Sequence, residues 1–181
     1  ADATYVRITF YPPTEFSAGQ IHFEDNGHGM SLSDIQDKWM EPATSDKRER
    51  KESPKGRQLL GSKGIGRFAS ARLGRNLELV STAPMESSSN YTTTRIVFDW
   101  EVLDHVQYLD DISFPVTTAT APGPAGTTLI ISRLRDEWTA SSVTRLHHEL
   151  RRLVSPRQNT ANTPFRIFLD LSRCTIANSH F

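Results

Sequence analysis

Apolar and polar residues alternate in short runs along this chain, and a period of two predicts β-strands with one buried face. Strands are predicted at residues 4–11, 20–25, 76–83, 91–100, 127–133 and 165–171. Helices are predicted from an N-cap at Ser31 or Ser33 as far as Met40, over 67–73 with its end at Gly74, and over 139–153. Because the strands do not alternate strictly with helices, the pattern indicates an α+β fold.

The composition excludes several classes of protein. The 181 residues are enough for one domain with a core. The 21 basic and 21 acidic residues cancel, so net charge gives no argument for nucleic acid or for an anionic membrane. No apolar run approaches the roughly 18 residues of a membrane-spanning helix. The single cysteine, Cys174, favours a reducing compartment, so we expect a cytoplasmic protein with no membrane contact.

Two polar segments divide the chain. Ser45–Arg57 carries six basic and three acidic residues but nothing apolar to bury, so it is expected to be a loop. Residues 155–164, rich in Pro, Asn and Thr, predict a linker after a first domain at 1–154. Two possibilities stay open for 155–181: a second domain begins there, or the strand at 165–171 joins the sheet of the first.

An acidic residue and two glycines end the strand at 20–25, in the order Asp25, Gly27, Gly29 and then Met30. A carboxylate only accepts hydrogen bonds, so it suits the exocyclic amine of adenine and not the oxygen of guanine. The glycines let the chain turn closely beside a flat base, and the methionine can cover a ring. The alternatives are an Asn-Gly hairpin turn and a calcium loop, whose alternating oxygen ligands are missing.

A second glycine cluster, Gly61-Ser62-Lys63-Gly64-Ile65-Gly66, opens the helix predicted at 67–73. Backbone N–H groups at such a helix start can bind phosphate, and Lys63 or Arg67 can add a charge. A Walker A loop is excluded because Arg67 stands where that motif needs lysine. A dinucleotide-binding Rossmann loop has the right glycine spacing up to Ala69, but no buried strand precedes it.

These motifs, with Gly126-Thr127 at the start of the strand at 127–133, resemble those of the GHKL superfamily. Its members include gyrase B, the ninety-kilodalton heat-shock chaperones, histidine kinases and MutL. The resemblance covers the chain from residue 1 to about residue 135. It implies the Bergerat ATP-binding fold: a two-layer α+β sandwich whose mixed, mostly antiparallel sheet is covered on one face by helices.

The resemblance also implies ATP and Mg²⁺ as cofactors, and it makes Ser45–Arg57 a lid loop over the nucleotide. The residues that it assigns to ATP are Asp25, Gly27, Gly29, Met30, Gly61, Lys63, Gly64, Ile65, Gly66, Arg67 and Thr127.

The family's first motif carries a Glu that acts as general base and an Asn that binds magnesium. Residues 1–4 resemble only the tail of that motif; the motif's aspartate either precedes residue 1 or, in a shifted register, is Asp2. Both the Glu and the Asn are expected upstream, so no catalytic or metal-binding residue is predicted within the chain. The resemblance implies an ATPase in the intact protein, while these 181 residues are expected to bind nucleotide without hydrolysing it.

Within the superfamily, the Lys-Gly-Ile-Gly-Arg-Phe loop is most similar to the chaperone, MutL and MORC branch. The expected function is an ATP-binding domain that couples ATP binding and hydrolysis to a conformational change. Because relatives close dimeric clamps, a homodimer of the intact protein is a further expectation; the client and any nucleic acid are left open. The alternatives are a non-hydrolysing nucleotide sensor or interaction module, the ATP-binding domain of a histidine kinase, and a dinucleotide-binding oxidoreductase.

Overall fold

The computed structural model describes residues 2–15, 17–39, 69–85, 89–104, 114–153 and 165–174. The strands are β1 (Tyr5–Tyr11), β2 (Gln20–Asp25), β3 (Gly74–Pro84), β4 (Tyr91–Asp99), β5 (Val116–Ala121), β6 (Gly126–Leu134) and β7 (Arg166–Asp170). The helices are α1 (Leu32–Asp34), α2 (Ser70–Leu73), α3 (Trp100–Asp104) and α4 (Ala140–Leu153). A π-helical turn, Ile35–Trp39, continues α1.

All seven strands form one sheet in the order β5-β4-β3-β6-β2-β1-β7. Every neighbouring pair is antiparallel except β1 and β7, which are parallel. Strand β6 lies between β3 and β2, so it joins two parts of the chain that are distant in sequence. The predicted α+β class and the mixed, mostly antiparallel sheet are confirmed.

One face of the sheet carries the core, and the helices pack on that face. On its β3–β6 half, Leu77 lies opposite Phe98 of β4 and Ile131 of β6, and the π-helical turn covers them with Ile35 and Trp39. On its β1–β2 half, side chains of β1, β2 and α4 pack together: Ile8, Phe10, Ile21, Val143, Leu146 and Leu150. This is the two-layer arrangement that the resemblance implied.

The helix after β2 begins at Ser31, one of the two predicted N-caps. The Ser31 hydroxyl accepts from the backbone N–H of Asp34, and the Asp34 carboxylate accepts from the backbone N–H of Ser31. This reciprocal pair is a capping box, which satisfies two N–H groups that a helix start otherwise leaves free. It fixes where the chain turns back over the sheet.

Two elements differ from the predictions. Trp100 was placed at the end of a strand, yet it begins α3 because the carboxylate of Asp99 accepts from the backbone N–H of Glu101 at 3.0 Å and starts the helix. Strand β5 was not predicted, since its sequence VTTATA has no apolar residue on every second position. It forms at the sheet edge by pairing with β4.

Gly74 ends α2, as predicted, but not for the predicted reason. Its backbone is extended (φ −152°), so it is not the left-handed cap that usually favours glycine. A Cβ at this position would lie 2.6 Å from both Ile131 Cγ2 and Ser132 O, so glycine is needed for the close approach of β3 to β6.

The strand predicted at 165–171 is β7, and it pairs with β1 in the same sheet. That is the second of the two possibilities for this strand. The division of the chain into domains at residue 155 stays a prediction, because 154–164 lie outside the described residues.

Candidate functional site

Asp25 is the last residue of β2, and its side chain is half-buried on the helix-covered face of the sheet. One carboxylate oxygen, Oδ1, accepts from the backbone N–H of Gly27 at 2.8 Å. Burial raises the pKa of this carboxyl, and the Gly27 hydrogen bond opposes the rise only in part. Keeping the Asp25 carboxylate charged in this half-buried position therefore costs free energy, and an additional hydrogen-bond donor would reduce that cost.

The loop after Asp25 is not a hairpin turn. The neighbours of β2 are β1 and β6, and the chain passes from the loop into α1. The Asn26 side chain instead holds the start of β1: Oδ1 accepts from the N–H groups of Thr4 (2.9 Å) and Tyr5 (3.1 Å), and Nδ2 donates to Thr4 Oγ1 at 2.7 Å. The hairpin alternative is therefore wrong, and Asn26 is a structural clamp.

Gly29 brings the loop against β3. Its φ of +69° lies in the left-handed region, and a Cβ there would lie 1.9 Å from the carbonyl oxygen of Thr82. The next residue, Met30, donates its backbone N–H to Ser81 Oγ at 2.8 Å, and its side chain packs against the core. The loop is thus fixed at both ends over the sheet, to β1 through Asn26 and to β3 through Met30.

Four polar side chains form a row across the sheet at the level of Asp25. In the strand register, Thr127 of β6 lies opposite both Asp25 and Ser81 of β3, and Ser81 lies opposite Thr94 of β4. We call this set, Asp25, Thr127, Ser81 and Thr94, the polar row. The next row on the same face is apolar: Phe23, Leu129, Leu79 and Ile96.

Gly126 makes the contact between β2 and β6 possible at this point. A Cβ on it would lie 2.5 Å from the carbonyl oxygen of Asp25. Glycine therefore lets β6 come close to the end of β2 and places Thr127 beside Asp25. This is the geometry of the Gly-Thr pair that the sequence singled out.

Two members of the polar row, Ser81 and Thr94, were not predicted. Both side chains are fully buried, and within the described part of the chain Thr94 Oγ1 has no hydrogen-bond partner. A usable signal was present, because Ser81 continues the core-facing alternation of Leu77 and Leu79 with a polar residue. A polar residue at a buried position of a predicted strand therefore marks this member of the row.

The remaining predicted contacts lie outside the described residues. These are the glycine loop with its flanking Arg67 (Gly61, Lys63, Gly64, Ile65, Gly66 and Arg67) and the lid at Ser45–Arg57. Their roles stay predictions. Within the described ranges, no group of three or more His, Cys, Asp and Glu could hold a metal ion, so no described residue is assigned to Mg²⁺.

The sheet does not fit a dinucleotide-binding oxidoreductase. A Rossmann domain places its glycine loop in a βαβ unit of parallel strands. Strand β3, which follows the glycine segment, is antiparallel to both its neighbours, and among the described strands only β1 and β7 are parallel. The Rossmann alternative is therefore wrong on topology.

The raised pKa of Asp25 predicts that Asp25→Asn stabilises the unliganded protein. A raised pKa in the folded state means that the charged carboxylate is less stable in the folded protein than in the unfolded chain. At a pH above that pKa the buried group is charged, so it lowers the free energy of unfolding. The neutral amide keeps an oxygen for the Gly27 N–H and removes the buried charge. We expect a higher free energy of unfolding for the variant near neutral pH, and a difference that shrinks as pH falls toward about 4. Urea unfolding at both pH values measures it.

Asp170→Asn is the matched control for that prediction. Its carboxylate is partly exposed, and hydrogen bonds from Ser172 and from Arg7 lower its pKa. Removing this charge should leave stability unchanged or lower it. A destabilised Asp25→Asn protein at neutral pH would contradict the claim that burial governs Asp25.

A family comparison agrees with the geometry. A family model described as histidine kinase-, DNA gyrase B- and HSP90-like ATPase matches residues 1–118. The chain belongs to this family of ATPases, whose members bind ATP, typically with Mg²⁺. A search of curated proteins found no match. Among the helices of the described segments, none is both long enough and apolar enough to span a membrane.

Proposed function

We propose that this domain binds ATP with the adenine ring over the polar row, its amino group donating to Asp25. The observation that carries the proposal is the half-buried Asp25 carboxylate, placed in register with Thr127 in a chain of this ATPase family. Among the described residues the carboxylate has one hydrogen-bond donor, the Gly27 N–H, and its second oxygen is suited to a donor on the ligand.

The surroundings of the polar row suit a purine. The neighbouring row of Phe23 and Leu129 gives the apolar surface on which a flat base is desolvated, and Met30 packs against the same cluster. The Thr94 hydroxyl, which has no hydrogen-bond partner among the described residues, adds a buried polar group at the same level, and a water molecule or a polar ligand atom would satisfy it. Gly27 and Gly29 keep side chains out of the turn beside the base.

In the intact protein we propose an ATPase of the chaperone, MutL and MORC branch, in which ATP binding and hydrolysis drive a conformational change. The support is the Lys-Gly-Ile-Gly-Arg-Phe sequence at residues 63–68. Nucleotide binding is the activity that we propose for these 181 residues themselves. A homodimer and a cytoplasmic location belong to the same proposal.

A thermal-shift comparison of ATP with NAD tests the nucleotide class. A ligand that binds only the folded state stabilises it by about 2.7 kcal/mol at a hundred times its dissociation constant. For a chain of this size we expect an ATP-dependent rise in Tm of roughly 5–10 °C at that saturation, and a smaller one with NAD at equal concentration. A larger shift with NAD, or none with ATP, would overturn the proposed function.

A further inference from the structure

Ser81 occupies a central position in the polar row. Its side chain is fully buried and lies between strands that also carry Thr127 and Thr94. Three polar groups of the described residues lie near the hydroxyl oxygen: the Met30 N–H at 2.8 Å, Thr127 Oγ1 at 3.0 Å and the Gly126 carbonyl oxygen at 3.5 Å. Ser81 therefore connects the loop after β2 with Thr127, which lies opposite Asp25 on the adjacent strand.

The direction of these hydrogen bonds follows from donor and acceptor counting. A serine hydroxyl has one proton and two lone pairs, and the Met30 N–H uses one lone pair. Its proton can go to Thr127 Oγ1 or to the Gly126 carbonyl oxygen. The first lies at 3.0 Å and the second at 3.5 Å, beyond the usual range for O–H···O hydrogen bonds. We assign the Ser81 proton to the nearer of these two acceptors, Thr127 Oγ1.

This assignment leaves the Thr127 proton free for another acceptor. Since Thr127 lies opposite Asp25 in the β2–β6 register, the site presents an acceptor and a donor side by side. The adenine edge is complementary, with a donor at its amino group and an acceptor at N1. Guanine presents the reverse, an oxygen acceptor and an N1–H donor. Its oxygen would face the Asp25 acceptor and its N1–H would face the Thr127 donor, so neither pair could form a hydrogen bond.

We propose that Ser81 is a positioning residue that sets purine specificity, by holding the Thr127 hydroxyl as a donor toward the nucleotide. The inference rests on the proposed ATP site and adds to it the residue that orients one of its two polar contacts. Ser81 acts through Thr127 and through the Met30 backbone, and it need not touch the nucleotide.

The test is the ratio of ATP to GTP affinity, measured by calorimetry on the wild-type chain and on Ser81→Ala. Without Ser81, the Thr127 hydroxyl can rotate to accept from guanine as readily as it donates to adenine. We expect the ratio to fall about tenfold, the usual effect of losing one oriented hydrogen bond to a polar ligand. A merely structural role would lower both affinities by the same factor, because partial loss of the binding-competent state scales every ligand alike.

Two further variants sharpen the test. Thr82→Val removes a hydroxyl that bonds Thr93 across β3 and β4 on the opposite face, so it should leave the ratio unchanged. In a double-mutant cycle, Ser81→Ala should have no further effect on the ratio once Thr127 is replaced by Val. Ser81→Cys replaces the hydroxyl with a somewhat larger thiol, which is a weaker donor, and it should lower the ratio to a smaller extent if Ser81→Ala does not fold.

The outcomes separate this inference from the function on which it rests. If the wild-type chain prefers ATP but Ser81→Ala and Ser81→Cys keep its ratio, the positioning role is wrong and the ATP site stands. An effect of Ser81→Ala that persists in full beside Thr127→Val also refutes it. A wild-type chain that binds neither nucleotide, or binds both equally, would refute the proposed adenine site itself.

Discussion

An Asp25→Ala variant should bind ATP about ten- to a hundredfold more weakly than the wild-type protein. The carboxylate is half-buried at the end of β2, and alanine removes the acceptor that we propose for the adenine amino group. The amino group would then be desolvated without a partner, and the loss of a charged hydrogen bond in such a site is worth about 1.5–3 kcal/mol. Isothermal titration calorimetry with ATP measures the change.

Glu24→Ala is the control for Asp25→Ala. Glu24 is the neighbouring residue on β2, but its side chain is exposed on the opposite face of the sheet. Its removal changes the net charge by the same amount, so it reports any long-range electrostatic effect on a polyanionic nucleotide. We expect ATP affinity within about twofold of wild type for this variant. Equal losses in the two variants would mean that Asp25 does not read the base.

The part of the candidate site that lies in one continuous stretch of the chain could be predicted from the sequence. Asp25, Gly27, Gly29 and Met30 lie in one loop, and a carboxylate between a strand and two glycines has a chemical meaning without any tertiary information. Thr127 was found through its resemblance to a family motif. The structure places it directly opposite Asp25, because β6 inserts between β3 and β2.

The rest of the site depends on strand order and register, which local patterns do not contain. Ser81 and Thr94 belong to strands that were predicted, yet nothing in either strand shows that the two residues lie opposite each other. Only the pairing of β6 with β3 brings Ser81 to Thr127 and completes the polar row. The same limit explains why β5 was not predicted. It is an edge strand, and its Thr and Ala residues show no alternation of apolar and polar side chains that would indicate a strand.

Gly29→Ala should destabilise the protein more than most single substitutions, by about 3–5 kcal/mol. A left-handed backbone conformation costs a residue with a Cβ roughly 1–2 kcal/mol, and here the φ is +69°. The larger part comes from the new methyl group, which would lie 1.9 Å from the Thr82 carbonyl oxygen, so the loop must move away from β3. In thermal unfolding we expect a Tm lowered by about 10 °C.

Movement of this loop would also break the hydrogen bond from the Met30 N–H to Ser81 Oγ, which links stability to the polar row. The neighbouring substitution His28→Ala is the control. Its exposed side chain makes a single hydrogen bond within the described residues, to the Gly29 carbonyl oxygen, so the change should stay within about 1 kcal/mol. Alanine fits at position 29 only if the loop lies farther from β3. A Gly29→Ala protein as stable as the His28→Ala protein would therefore contradict the close approach of Gly29 to Thr82. The placement of the glycine turn beside the proposed base would then have to be abandoned.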